Sequence, residues 1–146
     1  MTLSESREDY LENLLILETR SGGFVRQVDM ASRMGFSKAS ISKAMSSLSA
    51  EGYVEFRPRG LVRLSNGGRK IAERVYDRHC FFFKVLTNLG IPTEIAQRDA
   101  CRMEHAMSEE GRVPNRGVSG PSPENRRHPC EVNLSLRPPS GQWRSL

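Results

Sequence analysis

The chain has 146 residues, 37% hydrophobic and 27% charged, enough for one compact domain or one with a small appendage. No run approaches the ~18 apolar residues of a membrane span, and the acidic, polar start MTLSESREDY is not a secretory signal, so a cytoplasmic protein is expected. The net charge of +5 is unevenly spread: residues 26–84 carry 12 Lys/Arg against 5 Asp/Glu, while residues 1–25 and 85–110 each carry 2 against 5.

Residues 6–20, SREDYLENLLILETR, have the spacing of an amphipathic helix, with Ser6 as its N-cap and Asp9 in a capping-box arrangement. Tyr10, Leu11, Leu14, Leu15 and Ile16 form the buried side. Asp9 and Glu12 sit at i and i+3 and project together. Ser21-Gly22-Gly23 breaks the helix.

Residues 25–64 organise the chain: helix, tight turn, second helix, two-stranded hairpin. The first helix, about 26–34, packs through Val28, Ala31 and Met34, and the turn falls at Gly35-Phe36. Ser37 then offers a hydroxyl to the free N–H groups of the next helix. Ile41, Ala44, Met45 and Leu48 give that helix one apolar face. Its other face carries Lys38, Ser40, Ser42 and Lys43, small, polar and basic, which suits the major groove of DNA. Gly52 is a stop signal. Strand 53–57, turn Pro58-Arg59-Gly60 and strand 61–64 make a wing with Arg57, Arg59 and Arg63 near its tip. The basic balance of this segment is the footprint of a phosphate-binding face.

Ser65-Asn66-Gly67-Gly68 reads as turn and cap. A long helix follows over about 69–89; its apolar residues leave few faces polar, which predicts burial on more than one side, with His79 in its middle. Gly90 to Thr93 separates it from a helix over about 94–109. There Ile95, Ala96, Ala100, Met103, Ala106 and Met107 point inward, and Cys101, Glu104 and His105 share one face. Residues 111–146, rich in Gly, Pro, Ser and Arg and without a period, read as a disordered tail.

Asp9, Glu12, His79, Cys101, Glu104 and His105 have ordinary explanations one at a time: solvated carboxylates, a core histidine, a small apolar thiol. As a set they are the side chains that bind first-row divalent metals, and C-x-x-E-H delivers three donors from adjacent helical turns. The three cysteines, Cys80, Cys101 and Cys130, are an odd number and argue against a disulfide framework. No nucleophile elbow or phosphate loop occurs, so an enzyme is not expected.

The ordered matches E-D-Y-L-E at 8–12, S-K-A-S-I-S-K-A at 37–44, E-G-Y-V at 51–54, R-G-L-V-R-L-S-N-G-G at 59–68, R-H at 78–79 and D-A-C-R-M-E-H-A-M-S at 99–108 carry a resemblance. Over about residues 5–110 the chain resembles the diphtheria-toxin-repressor family of metal-dependent transcriptional regulators, which includes iron-dependent and manganese-transport regulators. The resemblance implies a mainly α chain: a winged helix-turn-helix DNA-binding domain over 1–68, then a helical metal-binding and dimerisation segment over 69–110, here incomplete. It implies metal ligands at Asp9, Glu12, His79, Cys101, Glu104 and His105. It places groove and backbone contacts among Arg26, Ser37, Lys38, Ala39, Ser40, Ser42, Lys43, Arg57, Arg59 and Arg63. The expected function is repression by a homodimer that senses Mn(II) or Fe(II) and binds a palindromic operator in double-stranded DNA.

The sequence departs from the family in three places. Iron-type members have methionine where this chain has Asp9, and keep Cys101; manganese-type members have the acidic pair but Glu in place of Cys101. This chain mixes the two. Phe83 and Gln97 stand where iron-type members have ancillary ligands. The tail does not resemble the family, as a shifted reading frame after about Glu110 would explain. The rival readings are a winged-helix regulator that senses no metal, a regulator impaired by its tail, and a small metalloenzyme.

Overall fold

A computed structural model describes residues 5–107; the tail expected over 111–146 lies outside them. The described residues divide into two compact units, 5–76 and 77–107.

In the first unit, α1 (Glu5–Ser21), α2 (Gln27–Met34) and α3 (Lys38–Ala50) surround a core of Leu11, Leu14, Met30, Met34, Ile41, Met45 and Leu48. Helix α2 stops at Gly35, whose φ of 68° is the left-handed value that favours glycine. The Ser37 hydroxyl accepts from the Ser40 N–H at 3.1 Å and caps α3, as its position predicts. Ile41, Met45 and Leu48 are buried on α3 and Ala44 is half-buried, so the expected apolar face is present.

The wing is a three-stranded antiparallel sheet in the order β1-β3-β2, not the two-stranded hairpin expected. Strands β2 (Val54–Arg57) and β3 (Leu61–Leu64) pair from Val54↔Leu64 to Arg57↔Leu61 around the turn Pro58–Gly60. Strand β1 (Val25–Arg26) adds the edge, pairing Val25 with Val62. A two-residue strand has too little alternation to be recognised in the sequence.

Helix α4 (Asn66–Asn88) begins earlier than its apolar pattern suggests. Ser65 is the cap: its hydroxyl accepts from the Gly68 N–H at 3.1 Å and donates to the Gly52 carbonyl at 2.6 Å. Ser65 N–H also donates to the Tyr53 carbonyl at 3.0 Å. A Cβ on Gly68 would lie 2.0 Å from that same carbonyl oxygen, so only glycine lets α4 start this close to the wing.

Three further expectations are corrected. Ser6 lies inside α1 rather than capping it. Val28 is exposed, and Met30 takes its place in the core with Ala31 and Met34, because a helix starting at Gln27 turns residue 28 outward. Helix α1 is not simply amphipathic: Glu8, Asp9, Glu12, Asn13 and Glu18 are buried along with its leucines, while Tyr10 is half-buried.

The second unit holds the rest of α4 and α5 (Thr93–Ala106). His79 and Phe83 are buried on α4, as are Ala96, Ala100 and Glu104 on α5. Ile95, Met103 and Ala106, expected to face inward, are exposed. They join Phe81, Val85 and Leu89, the last 73% exposed, as apolar side chains left uncovered in this unit. Their spacing correctly marks them as apolar stripes; a helical repeat alone cannot say which stripes the described residues cover.

Candidate metal centre and nucleic-acid face

The second unit concentrates metal-binding chemistry around Glu104. Its carboxylate is fully buried, at 0% exposure. Oε2 lies 2.9 Å from His79 Nδ1, and Oε1 lies 3.1 Å from His105 Nε2. Helical spacing accounts for half of this arrangement: Cys101, Glu104 and His105 occupy adjacent turns of α5, and their donor atoms lie within 4.8 Å of one another. The other half comes from α4, which brings His79 to the opposite oxygen, with its remaining ring nitrogen 2.8 Å from Gln97 Oε1. Glu104 thus belongs to two neighbouring donor groups, one with His79 and one with Cys101 and His105, and all are side-chain types that bind divalent first-row ions.

In the first unit, Asp9 and Glu12 occupy one face of α1 and both carboxylates are buried, Glu12 to 1% exposure. Burying an ionised carboxylate is costly unless a positive charge or several hydrogen bonds accompany it. Solvated acids, the ordinary reading of this pair, are therefore ruled out. Tyr10 responds to the same environment: burial first, and then the Asp9 charge, push its phenol above the ordinary tyrosine value.

The Asp9–Glu12 turn is anchored to α2. Asn13 Nδ2 donates to the Asp9 carbonyl at 2.8 Å, and Asn13 Oδ1 accepts from Arg33 Nε of α2 at 2.8 Å. At the other end of α1, buried Glu18 accepts from the Leu64 N–H of β3 and pairs with Arg69 of α4. Sequence reasoning missed Asn13, Arg33 and Glu18. For Glu18 a signal existed: an acid near a helix C-terminus opposes the helix dipole and so needs a partner elsewhere.

The candidate nucleic-acid face is exposed. Ser37 at the cap of α3 and Lys38, Ala39, Ser40, Ser42 and Lys43 on it are all open to solvent. Lys38, Lys43 and the wing-tip Arg59 form no ion pair among the described residues. Arg59 holds φ 66°, a left-handed conformation that costs a non-glycine residue roughly 1–2 kcal/mol. The other arginines are engaged. Glu55 accepts from Arg63 at 2.6 Å and lies 3.5 Å from Arg57, and both guanidinium groups flank exposed Phe24 at 6.0 Å. Arg26 forks onto Asp29 at 2.8 and 2.9 Å, which strengthens its hold on its proton.

Comparison with known proteins agrees with this division of labour. The N-terminal DNA binding domain of iron dependent repressors matches residues 2–62, and their metal binding and dimerisation domain matches residues 65–111. The chain is 41% identical over 103 residues to the transcriptional regulator MntR of Escherichia coli, covering 70% of this chain and 66% of that protein. It is 34% identical over 104 residues to the regulator MntR of Geobacillus kaustophilus, covering 70% and 72%. Among solved structures it resembles IdeR from T. acidophilum, with a TM-score of 0.63 and 26% identity over 77% of this chain and 52% of that one. It also resembles a manganese-dependent transcriptional repressor in complex with manganese, with a TM-score of 0.64 and 28% identity over 71% and 48%. The chain thus spans about two thirds of the curated relatives it matches first and about half of these solved structures.

Proposed function

Because the chain belongs to the family of iron-dependent repressors, the diphtheria-toxin-repressor family, we propose that it is a cytoplasmic transcriptional repressor whose DNA binding depends on Mn(II) or Fe(II). Residues 1–68 are its DNA-binding domain and residues 69–110 its metal-binding and dimerisation segment. The observation that carries this reading is Glu104, buried at 0% exposure between two imidazoles and beside a thiol.

The ligands are Asp9, Glu12, His79, Cys101, Glu104 and His105. Divalent metal held among them would supply the positive charge that lets buried carboxylates and a thiolate stay ionised. Carboxylates favour a hard ion and Cys101 a softer one, which leaves Mn(II) and Fe(II) as the pair to compare. The chain's own residues do the rest. Asp9 and Glu12, once fixed, fix their turn of α1; Asn13 and Arg33 carry that order to α2, which positions α3. Ser37–Lys43 read the major groove, while Lys38, Lys43 and Arg59 meet phosphates.

Two copies bind the two halves of a palindrome. The apolar residues Phe81, Val85, Leu89, Ile95 and Met103 supply the surface through which the copies meet. Selection of duplexes from a random pool in Mn(II), followed by anisotropy titrations with and without the ion, tests the whole reading. Tight binding that requires the ion and fails for Glu104→Gln supports it. Equal binding with and without the ion refutes it.

A further inference from the structure

The two ring nitrogens of His79 face different groups: Nδ1 lies 2.9 Å from Glu104 Oε2, and Nε2 lies 2.8 Å from Gln97 Oε1. Gln97 stands one turn before Cys101 on α5, and its Nε2 is buried with no hydrogen-bond partner among the described residues. The carbonyl end of this amide is therefore the end in use. A carbonyl oxygen only accepts, so the ring nitrogen facing it must donate.

We infer that Gln97 is a positioning residue, which holds the His79 ring so that Nε2–H points at the amide and the Nδ1 lone pair points to the Glu104 side, where a divalent cation is taken. The inference rests on the metal-binding reading and assigns a ligand atom and its support. An imidazole can bind an ion only through an unprotonated nitrogen, and the hydrogen bond made by the other nitrogen decides which one that is. A ring protonated on Nδ1 instead would aim its N–H at the ion. Gln97 is suited to prevent this because it is neutral: it accepts the Nε2 proton without competing for the cation. Since Glu104 touches both histidines, fixing the His79 ring also limits the positions its carboxylate can take.

The test uses the full chain labelled with ¹⁵N at histidine, loaded with Zn(II), which is diamagnetic. In the wild type the His79 Nε2 should carry a slowly exchanging proton and Nδ1 should show the shift of a metal-bound nitrogen. Gln97→Leu should lose the protected proton and bind Zn(II) about 10–100-fold more weakly. Gln97→Glu, which keeps an acceptor though not the neutrality, should retain the protected proton. The Cys101 thiolate-to-cobalt absorption of Gln97→Leu at saturating Co(II) reports that the chain is folded, and the wild-type ring signals test the inference whether or not that variant folds. Zinc on Nε2, or a Gln97→Leu protein with wild-type affinity and ring signals, would overturn the inference alone. A wild type that takes up no zinc would overturn the metal-binding reading as well.

Discussion

Asn13 Oδ1 accepts a hydrogen bond from Arg33 Nε at 2.8 Å, and the same amide donates to the carbonyl of Asp9 at 2.8 Å. One side chain thus links the turn that bears two of the proposed ligands to the first helix of the DNA-reading pair. Asn13→Leu should leave uptake of Mn(II) close to wild type but shrink the gain in DNA affinity that the ion produces, by roughly threefold to tenfold, the scale of one coupling of about 1 kcal/mol. Calorimetry for the ion and anisotropy for DNA separate the two effects. Loss of metal binding with coupling intact would contradict this role.

Gly68→Ala should destabilise the first unit by about 1–3 kcal/mol, because the new methyl meets a backbone carbonyl that cannot swing aside. Gly67→Ala is the control: its nearest neighbours there lie at 3.8 and 3.9 Å. Urea unfolding of the two variants should separate them clearly.

Glu18→Ala removes the acceptor of the Leu64 N–H and the partner of Arg69 at once. A buried donor left unpaired costs about 1–3 kcal/mol. Glu18→Gln, which keeps a carbonyl oxygen for Leu64, should lose less. Equal losses would mean that the pairing with Arg69 dominates.

On the DNA face, Lys43→Ala and Arg59→Ala should each weaken binding across sequences and reduce the slope of log affinity against log salt by about one. Arg63→Ala should do less, since Glu55 already neutralises that guanidinium. Glu55→Ala should strengthen non-specific binding by releasing Arg57 and Arg63.

Leu89→Glu, at a 73% exposed apolar position, should raise the dissociation constant of the homodimer by roughly tenfold or more while sparing the donors around Glu104. Sedimentation in the presence and absence of Mn(II) reads this directly.

Much of the first unit was legible because local rules decide it. The cap at Ser37, the turn at Gly35 and the three-residue wing turn each depend on a few adjacent residues. What escaped depends on distant ones. Strand β1 exists only because β3 is there to pair with it. The burial of Asp9, Glu12 and Glu18 cannot be read from a helical repeat, which marks charged positions as outward by default. In the second unit the α5 half of the donor cluster was visible as C-x-x-E-H, whereas the approach of His79 to Glu104 links residues on separate helices and became visible only in the fold.

Metal-dependent DNA binding is tested most directly by the affinity of the wild type and of Glu104→Gln for a palindromic duplex selected in Mn(II), measured anaerobically with Mn(II), with Fe(II) and with chelator. One or both ions should tighten wild-type binding at least tenfold, about 1.4 kcal/mol, and Glu104→Gln should bind as weakly with either ion as with chelator. Wild-type binding that is equally tight in chelator, or a Glu104→Gln protein that responds as the wild type does, would contradict it.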